Sequence, residues 1–547
     1  MKSRIFAALL AALMLLSACG KSETITTPDG ETKYLITAKN PLIWDDIPDP
    51  DVIRVDDAYY MVSTTMYFMP GCPVMRSYDL VHWEIVCYVY DTLSETDPKY
   101  NLVGEENAYA KGQWATSIRY HDGKFYVLFC SLDLGKTFIF STSDIESGSW
   151  ERTELDRVFY DASLFFDDDG RVYVIQGIGD VTVTELLPDC SGVKPGGVDQ
   201  KILNSGIVDG LSGAEGSHFY KIGDYYYLLM ISYATSTPGV ARCELCYRSK
   251  TLLGEYEGKT VLCDTMGYYG SGVAQGGIVD TPEGDWYALL FQDHGGVGRV
   301  PCLQPVEWTD GWPMMGENGK AVSEISVYST EKEWQESSFM GDDEFDSGED
   351  KLSLLWEWNH NPDNENWSLS ERPGYFRITT AKTARDIFHA RNTLTHRTEG
   401  PCCTAEVKLD YSGLNPGDHA GIAAFQSYCG EVGVYIDGEG KAHAYYGNIK
   451  RGQELYLSKE EDISGGEIYL KIEYRFSDIA DDGSITTSDQ ARFYYSLDGE
   501  SWEKIGKSFT MSYDLDLFTG YRTALFCYST EKSGGCADFD WFRVTKG

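Results

Sequence analysis

Five residues stand at one distance, eleven positions, ahead of five similar hairpins. They are Asp49 before Tyr60, Trp114 before Phe125, Asp161 before Val172, Glu215 before Tyr226 and Gln275 before Trp286. Three are carboxyls, one is an aromatic ring and one an amide. Like charges held close together repel and raise at least one pKa, a cost with no structural return. What such a group can do is move protons. An ionised carboxylate accepts one, a protonated carboxyl donates one, and a neighbouring ring face stacks on a sugar.

The hairpins are the elements that must bring these residues together. Each reads as a short apolar strand, an acidic or Gly turn and an aromatic strand. The copies are Val52–Tyr60, Ile118–Tyr126, Leu164–Tyr173, His218–Tyr227 and Ile278–Tyr287, and their turns fall near 58, 123, 170, 223 and 284. Each interval holds about four short strands, the content of one propeller blade. An all-β chain is expected: a five-bladed β-propeller over residues 40–325, followed by a β-sandwich over 342–547. In the second half apolar and polar residues alternate, as in Phe493-Tyr494-Tyr495-Ser496 before the turn Leu497-Asp498-Gly499. The first strand of a propeller blade lines the central channel, so five equivalent positions at its start converge on one mouth.

Composition narrows the partners. The chain has 547 residues, 46 Lys and Arg against 85 Asp and Glu, and a formal net charge of -39. It is too long for one core, and its 42% hydrophobic content excludes a mostly disordered chain. The acidic balance argues against nucleic acid and against docking on anionic lipid. Lys2 and Arg4, the apolar run Ile5–Leu16 and then Leu16-Ser17-Ala18-Cys19-Gly20 resemble a bacterial lipobox. On that reading residues 1–19 are a signal segment, Cys19 is lipidated, residues 20–39 are a linker, and the lipid on an exported protein is its only membrane contact. A plain secretory signal is the alternative. Of 14 cysteines, most others sit in apolar strand-like runs, as Cys130 does, and read as buried unpaired thiols, which fits an anaerobic setting. Cys243 and Cys246 alone are a weak metal signal.

Ile47-Pro48-Asp49-Pro50, Asp161 before Ser163-Leu164-Phe165-Phe166-Asp167-Asp168-Asp169-Gly170, and Ala214-Glu215-Gly216-Ser217 together resemble glycoside hydrolase family 43. Asp79-Leu80-Val81-His82-Trp83-Glu84, Gln113-Trp114-Ala115-Thr116 and Leu303-Gln304-Pro305-Val306-Glu307-Trp308 extend the match. Trp356-Glu357-Trp358-Asn359-His360-Asn361-Pro362, Ala390-Arg391-Asn392-Thr393-Leu394-Thr395 and Phe518-Thr519-Gly520-Tyr521-Arg522 resemble the concanavalin-like sandwich of many members. The resemblance implies an inverting exo-glycosidase that releases xylose or L-arabinofuranose from plant cell-wall oligosaccharides and needs no cofactor. It implies that Asp49 is the general base and Glu215 the general acid, and that Asp161 orients Glu215 and keeps it protonated. It further implies that Trp114 faces the sugar, that Arg299 bonds its hydroxyls, and that Phe518 leans over the propeller mouth. Met66 stands where many xylosidases of the family carry Phe, which leaves the sugar preference open.

Gln275, as the fifth equivalent position, is expected in the same site. His294 corresponds to a family histidine that reaches the channel; a histidine serving packing alone is the alternative. Glu344-Phe345-Asp346 and Asp538-Phe539-Asp540 are candidates for a structural calcium, with solvated acidic strand ends as the alternative. Two other functions compete. Retaining fructan hydrolases share the five blades, but Pro48 and Tyr160 stand where their motifs carry Asn and Arg. A non-catalytic glycan-binding protein would not need all three carboxyls.

Overall fold

The computed structural model describes residues 22–27, 30–208, 213–233, 239–268, 270–478, 488–513 and 516–547. Cys19 and the signal segment lie outside the described residues. Among the described residues the regular secondary structure is nearly all strand, with short 3₁₀ turns such as Gly295–Val297 and Ile387–His389, and no helix is long and apolar enough to cross a membrane.

Residues 51–315 form five four-stranded antiparallel sheets in chain order. The first strands of the sheets are Asp51–Val55, Thr116–His121, Ser163–Phe166, Glu215–Ile222 and Ala274–Asp280. Each neighbours the next, and the fifth neighbours the first. The turn after the first strand follows from local chemistry. Asp122 and Gly123 have φ of 48° and 76°, the two positive values of a type I′ turn, whose twist matches that of the flanking strands. A Cβ on Gly123 would meet nothing within 4 Å, so the backbone angle, not crowding, favours glycine there.

A buried ion pair ties the first strands together. Asp51, fully buried, sits 2.6 Å from the Arg119 guanidinium and 3.0 Å from His218 Nδ1, and it accepts the Ile118 N–H at 2.9 Å. Arg119 also donates to Ser163 Oγ at 2.6 Å, so four sheets meet in one network. Burial alone would raise the Asp51 pKa; the charges of Arg119 and His218, with their hydrogen bonds, outweigh it and hold the carboxyl down to about 2. Removing one partner of such a buried pair costs about 3–5 kcal/mol.

The second half forms seven strands of an eight-stranded antiparallel sheet and the whole of a seven-stranded one. Their facing sides are apolar: a Cβ on Gly430 of the first would meet Phe493 and Phe509 of the second. The eight-stranded sheet continues into the first half, because Phe68–Met69 pairs with Trp356–Asn359 at its edge. Behind that junction Glu357 is fully buried between Arg397, 3.0 Å away, and Arg522.

Three expectations are corrected here. The segment after residue 20 is not a bare linker: Thr24–Thr26 pairs with Thr32–Lys39, which pairs in turn with Glu324–Ser329. The thiols are not all unpaired: Cys243 and Cys263 form a disulfide, while Cys130 and other cysteines are free and buried. The acidic strand ends do not suit calcium, because cations already meet them. Asp538 binds Arg372 and Arg377, Asp540 binds Lys408, and Glu344 binds Arg543. Among the described residues no three His, Cys, Asp or Glu are grouped to hold a metal ion.

Candidate active site

All five equivalent residues line one pocket. Asp49, Trp114, Asp161, Glu215 and Gln275 are joined there by Thr64, Met66, Tyr160, Tyr233, Arg299 and Phe518. Each of the five stands at the start of a first strand or within two residues of it, which is why equal spacing in sequence becomes one place in space.

The backbone is bent to aim these side chains. Asp49, Met66, Asp161, Gln275 and Phe518 all have φ between 46° and 60°, a left-handed conformation that costs non-glycine residues energy and clusters at functional sites. The strands carrying Glu215 and Gln275 each bulge at that residue, which re-aims a side chain out of the ladder. Supports hold the bends. Gln113 accepts the Thr65 N–H at 2.9 Å and donates to the Ser63 carbonyl at 3.1 Å, fixing the segment that bears Thr64 and Met66. The buried Glu244 carboxylate accepts the Gln275 N–H at 2.7 Å.

Asp49 and Glu215 have different surroundings. Asp49 accepts from Arg299 Nη1 at 2.8 Å and from Thr64 Oγ1 at 2.9 Å. Arg299 lies over the Phe291 ring and stands 3.4 Å from Asp293. Among the described residues no cation pairs with Glu215; it accepts from the Tyr160 hydroxyl at 3.3 Å, and the Tyr233 phenol lines the same pocket. Asp161 is as buried as Asp49, but its Oδ1 has no hydrogen-bond partner among the described residues. Burial first, then the charges of Glu215 and Asp49, push its pKa well above the usual carboxylate range, and Arg299 only partly offsets them. The like-charge coupling therefore acts on Asp161, but it is not the leading cause of the rise. The leading cause is burial, which the sequence does not show.

Rings close the walls. Trp114 lies 5.7 Å from Tyr160 and 5.4 Å from Phe518. Phe518 comes from the second half of the chain, and Asp46 fastens its loop. One Asp46 oxygen accepts the Gly520 N–H at 2.7 Å, and the other accepts the Arg299 N–H at 2.9 Å. The Tyr521 N–H adds a bond to the Gly296 carbonyl at 2.8 Å. The loop from the second half of the chain and the arginine of the pocket thus share one buried carboxylate.

His294 is a correction. It does not line the pocket. Its ring stacks on Tyr268 at 4.0 Å and meets Trp44 edge-on, and its Nε2 lies 2.8 Å from Gln292 Oε1. Burial lowers its pKa to about 3, so it is a neutral packing residue. Thr64, Tyr160 and Tyr233 are pocket residues that the sequence reading did not place. A signal existed for Tyr233: Glu215 pairs with Ile231, and alternate residues of a strand share a face.

Residues 38–313 match the family model "Glycosyl hydrolases family 43", and residues 342–545 match "Beta xylosidase C-terminal Concanavalin A-like domain". The chain belongs to glycosyl hydrolases family 43. This family 43 glycosidase is 30% identical to a β-xylosidase of Formosa agariphila, over 92% of this chain and 89% of the other. It is 32% identical to a non-reducing end α-L-arabinofuranosidase of Bacteroides ovatus, over 62% of this chain and 65% of that one. A solved bifunctional GH43-CE structure from Bacteroides eggerthii superposes with a TM-score of 0.85 at 41% identity. That match covers 94% of this chain but 64% of the solved one, which is the longer protein.

Proposed function

We propose that this glycosidase is exo-acting and inverting, and that it removes xylose or L-arabinofuranose from the ends of xylan, arabinoxylan or arabinan oligosaccharides. The observation that carries this is the trio of carboxyls in one ring-walled pocket, with the Arg299 cation on Asp49 and, among the described residues, the Tyr160 phenol but no cation on Glu215. The Asp49 carboxylate takes a proton from a water as that water's oxygen attacks the anomeric carbon. The Glu215 carboxyl gives its proton to the glycosidic oxygen as the old C–O bond breaks. Asp161, carrying no proton of the reaction, orients Glu215. Trp114, Met66, Gln275, Arg299 and Phe518 bind the terminal sugar. The rings of Trp114, Tyr160 and Phe518 supply the apolar faces that sugars stack on.

The architecture in this proposal is a five-bladed β-propeller over residues 40–325, with the pocket at one mouth of its channel, and a concanavalin-like β-sandwich over 342–547. The five sheets with adjoining first strands support it. Inversion follows from attack on the face opposite the leaving oxygen, with the two working carboxyls about 6.5–9.5 Å apart to admit the water. Proton NMR of the first-formed sugar tests it. The expected product from a β-xyloside is the α anomer. The retained anomer would overturn the scheme and favour a double displacement of the fructan-hydrolase kind.

The lipobox-like segment supports an enzyme tethered through Cys19 on the outer side of a membrane. Labelled palmitate should enter the wild-type protein in a bacterial host and be absent from Cys19→Ala. Equal labelling of both would remove the anchor from the proposal.

A further inference from the structure

Tyr160 directly precedes Asp161, and its side chain turns to the other working carboxyl. Its hydroxyl donates to Glu215 Oε2 at 3.3 Å. The turn that carries it is fastened to the Glu215 strand by backbone as well, since the Asp161 carbonyl accepts the Ser217 N–H at 3.0 Å. The Tyr160 N–H donates to Gln176 Oε1 at 3.3 Å, and Gln176 Nε2 is held by Thr182 at 2.8 Å. The ring itself packs on Trp114. Tyr160 is therefore placed by three contacts of its own and by the backbone bond of its neighbour Asp161, whereas Tyr233, in the same pocket, is 48% exposed.

We infer that Tyr160 is a positioning residue for the acid: by occupying Oε2 of Glu215, its hydroxyl leaves Oε1 to carry the proton that passes to the leaving oxygen. The inference rests on the reading of Glu215 as general acid. A carboxylic acid holds its proton on one oxygen, and a donor on the other decides which. A phenol that could itself lose its proton would not do this. Burial first, then the charges of Asp161, Glu215 and Asp49, push the Tyr160 hydroxyl far above its ordinary range, so it stays a donor. The other groups sharing the pocket with Glu215 are Asp161 from the third sheet, Asp49 and Arg299 as an ion pair, and the Tyr233 phenol.

The test compares wild type, Tyr160→Phe, Glu215→Gln and the double variant on two substrates: a nitrophenyl glycoside and a disaccharide of the same sugar. A hydrogen bond to a charged group is lost with the hydroxyl, so kcat on the disaccharide should fall about tenfold or more in Tyr160→Phe. KM should stay within about twofold, and the nitrophenyl rate within about threefold, because nitrophenolate needs little protonation. Loss of a donor to the carboxylate favours its protonated form, so the alkaline limb of kcat/KM should move to higher pH. On the Glu215→Gln background, Tyr160→Phe should add nothing further to the disaccharide loss. The ratio of the two substrates within one preparation does not depend on how much of the protein is folded. Equal losses on both substrates with an unmoved alkaline limb, or a full extra loss in the double variant, would show that Tyr160 acts only by packing on Trp114. If Glu215→Gln itself loses both substrates equally, the acid assignment is overturned, and the positioning role falls with it.

Discussion

Asp49→Asn should reduce kcat by about 10²–10⁴-fold on every substrate, nitrophenyl glycosides included. The base acts on the water, so the quality of the leaving group does not rescue it. Arg299 and Thr64 donate to different Asp49 oxygens, at 2.8 and 2.9 Å; the amide oxygen of Asn can keep the Arg299 bond, and its NH2 can donate to the Thr64 hydroxyl, which can also accept. The loss should therefore fall on kcat, with product binding by calorimetry little changed. Arg299 keeps a second carboxylate, Asp293, at 3.4 Å, which limits the cost of leaving its charge unpaired. Thermal unfolding should confirm a folded variant. A rate near that of wild type would remove Asp49 from the mechanism, and a rate lost only in proportion to folded protein would make it a structural residue.

What could be read from the sequence was the periodic part of the problem. A first strand, a tight turn and an aromatic second strand repeat at the level of residue type. Equal offsets from those turns therefore found Asp49, Trp114, Asp161, Glu215 and Gln275 without any structure. Residues outside the repeat were harder. Met66 and Phe518 enter the pocket through left-handed backbone that neither side chain advertises, and only the family resemblance singled them out. His294 failed because position along the chain says nothing about which way a ring turns. Here Tyr268 and Trp44 enclose it, and the pocket does not receive it. The acidic strand ends failed for a similar reason: Arg372, Arg377 and Lys408 reach Asp538 and Asp540 from other strands. Long-range pairing of this kind leaves no local mark. The same holds for Asp161, whose burial is the leading cause of its raised pKa.

Glu215→Gln should separate substrates that Asp49→Asn does not. Turnover of a disaccharide should fall by about 10²–10⁴-fold, while a nitrophenyl glycoside should lose far less, since its leaving group departs as a stable anion. The alkaline limb of kcat/KM that reports the acid should be absent from the variant, because an amide does not titrate. Stability should move the other way. Asp161 is raised in the folded protein by burial and then by the Glu215 and Asp49 charges. Above the ordinary pKa of an unfolded Asp, about 3.9, the unfolded chain has given up a proton that the folded chain keeps. Folding stability therefore falls as pH rises from there to the raised folded value, and the deficit persists above it. Removing the Glu215 charge removes one cause of that deficit, so the variant should unfold no earlier than wild type at pH 7 and lose less stability between pH 4 and 7. An inactive enzyme that is at least as stable as its parent would mark Glu215 as chemistry held at a cost to the fold. A variant that unfolds early, or one that loses both substrates alike, would remove Glu215 as the acid.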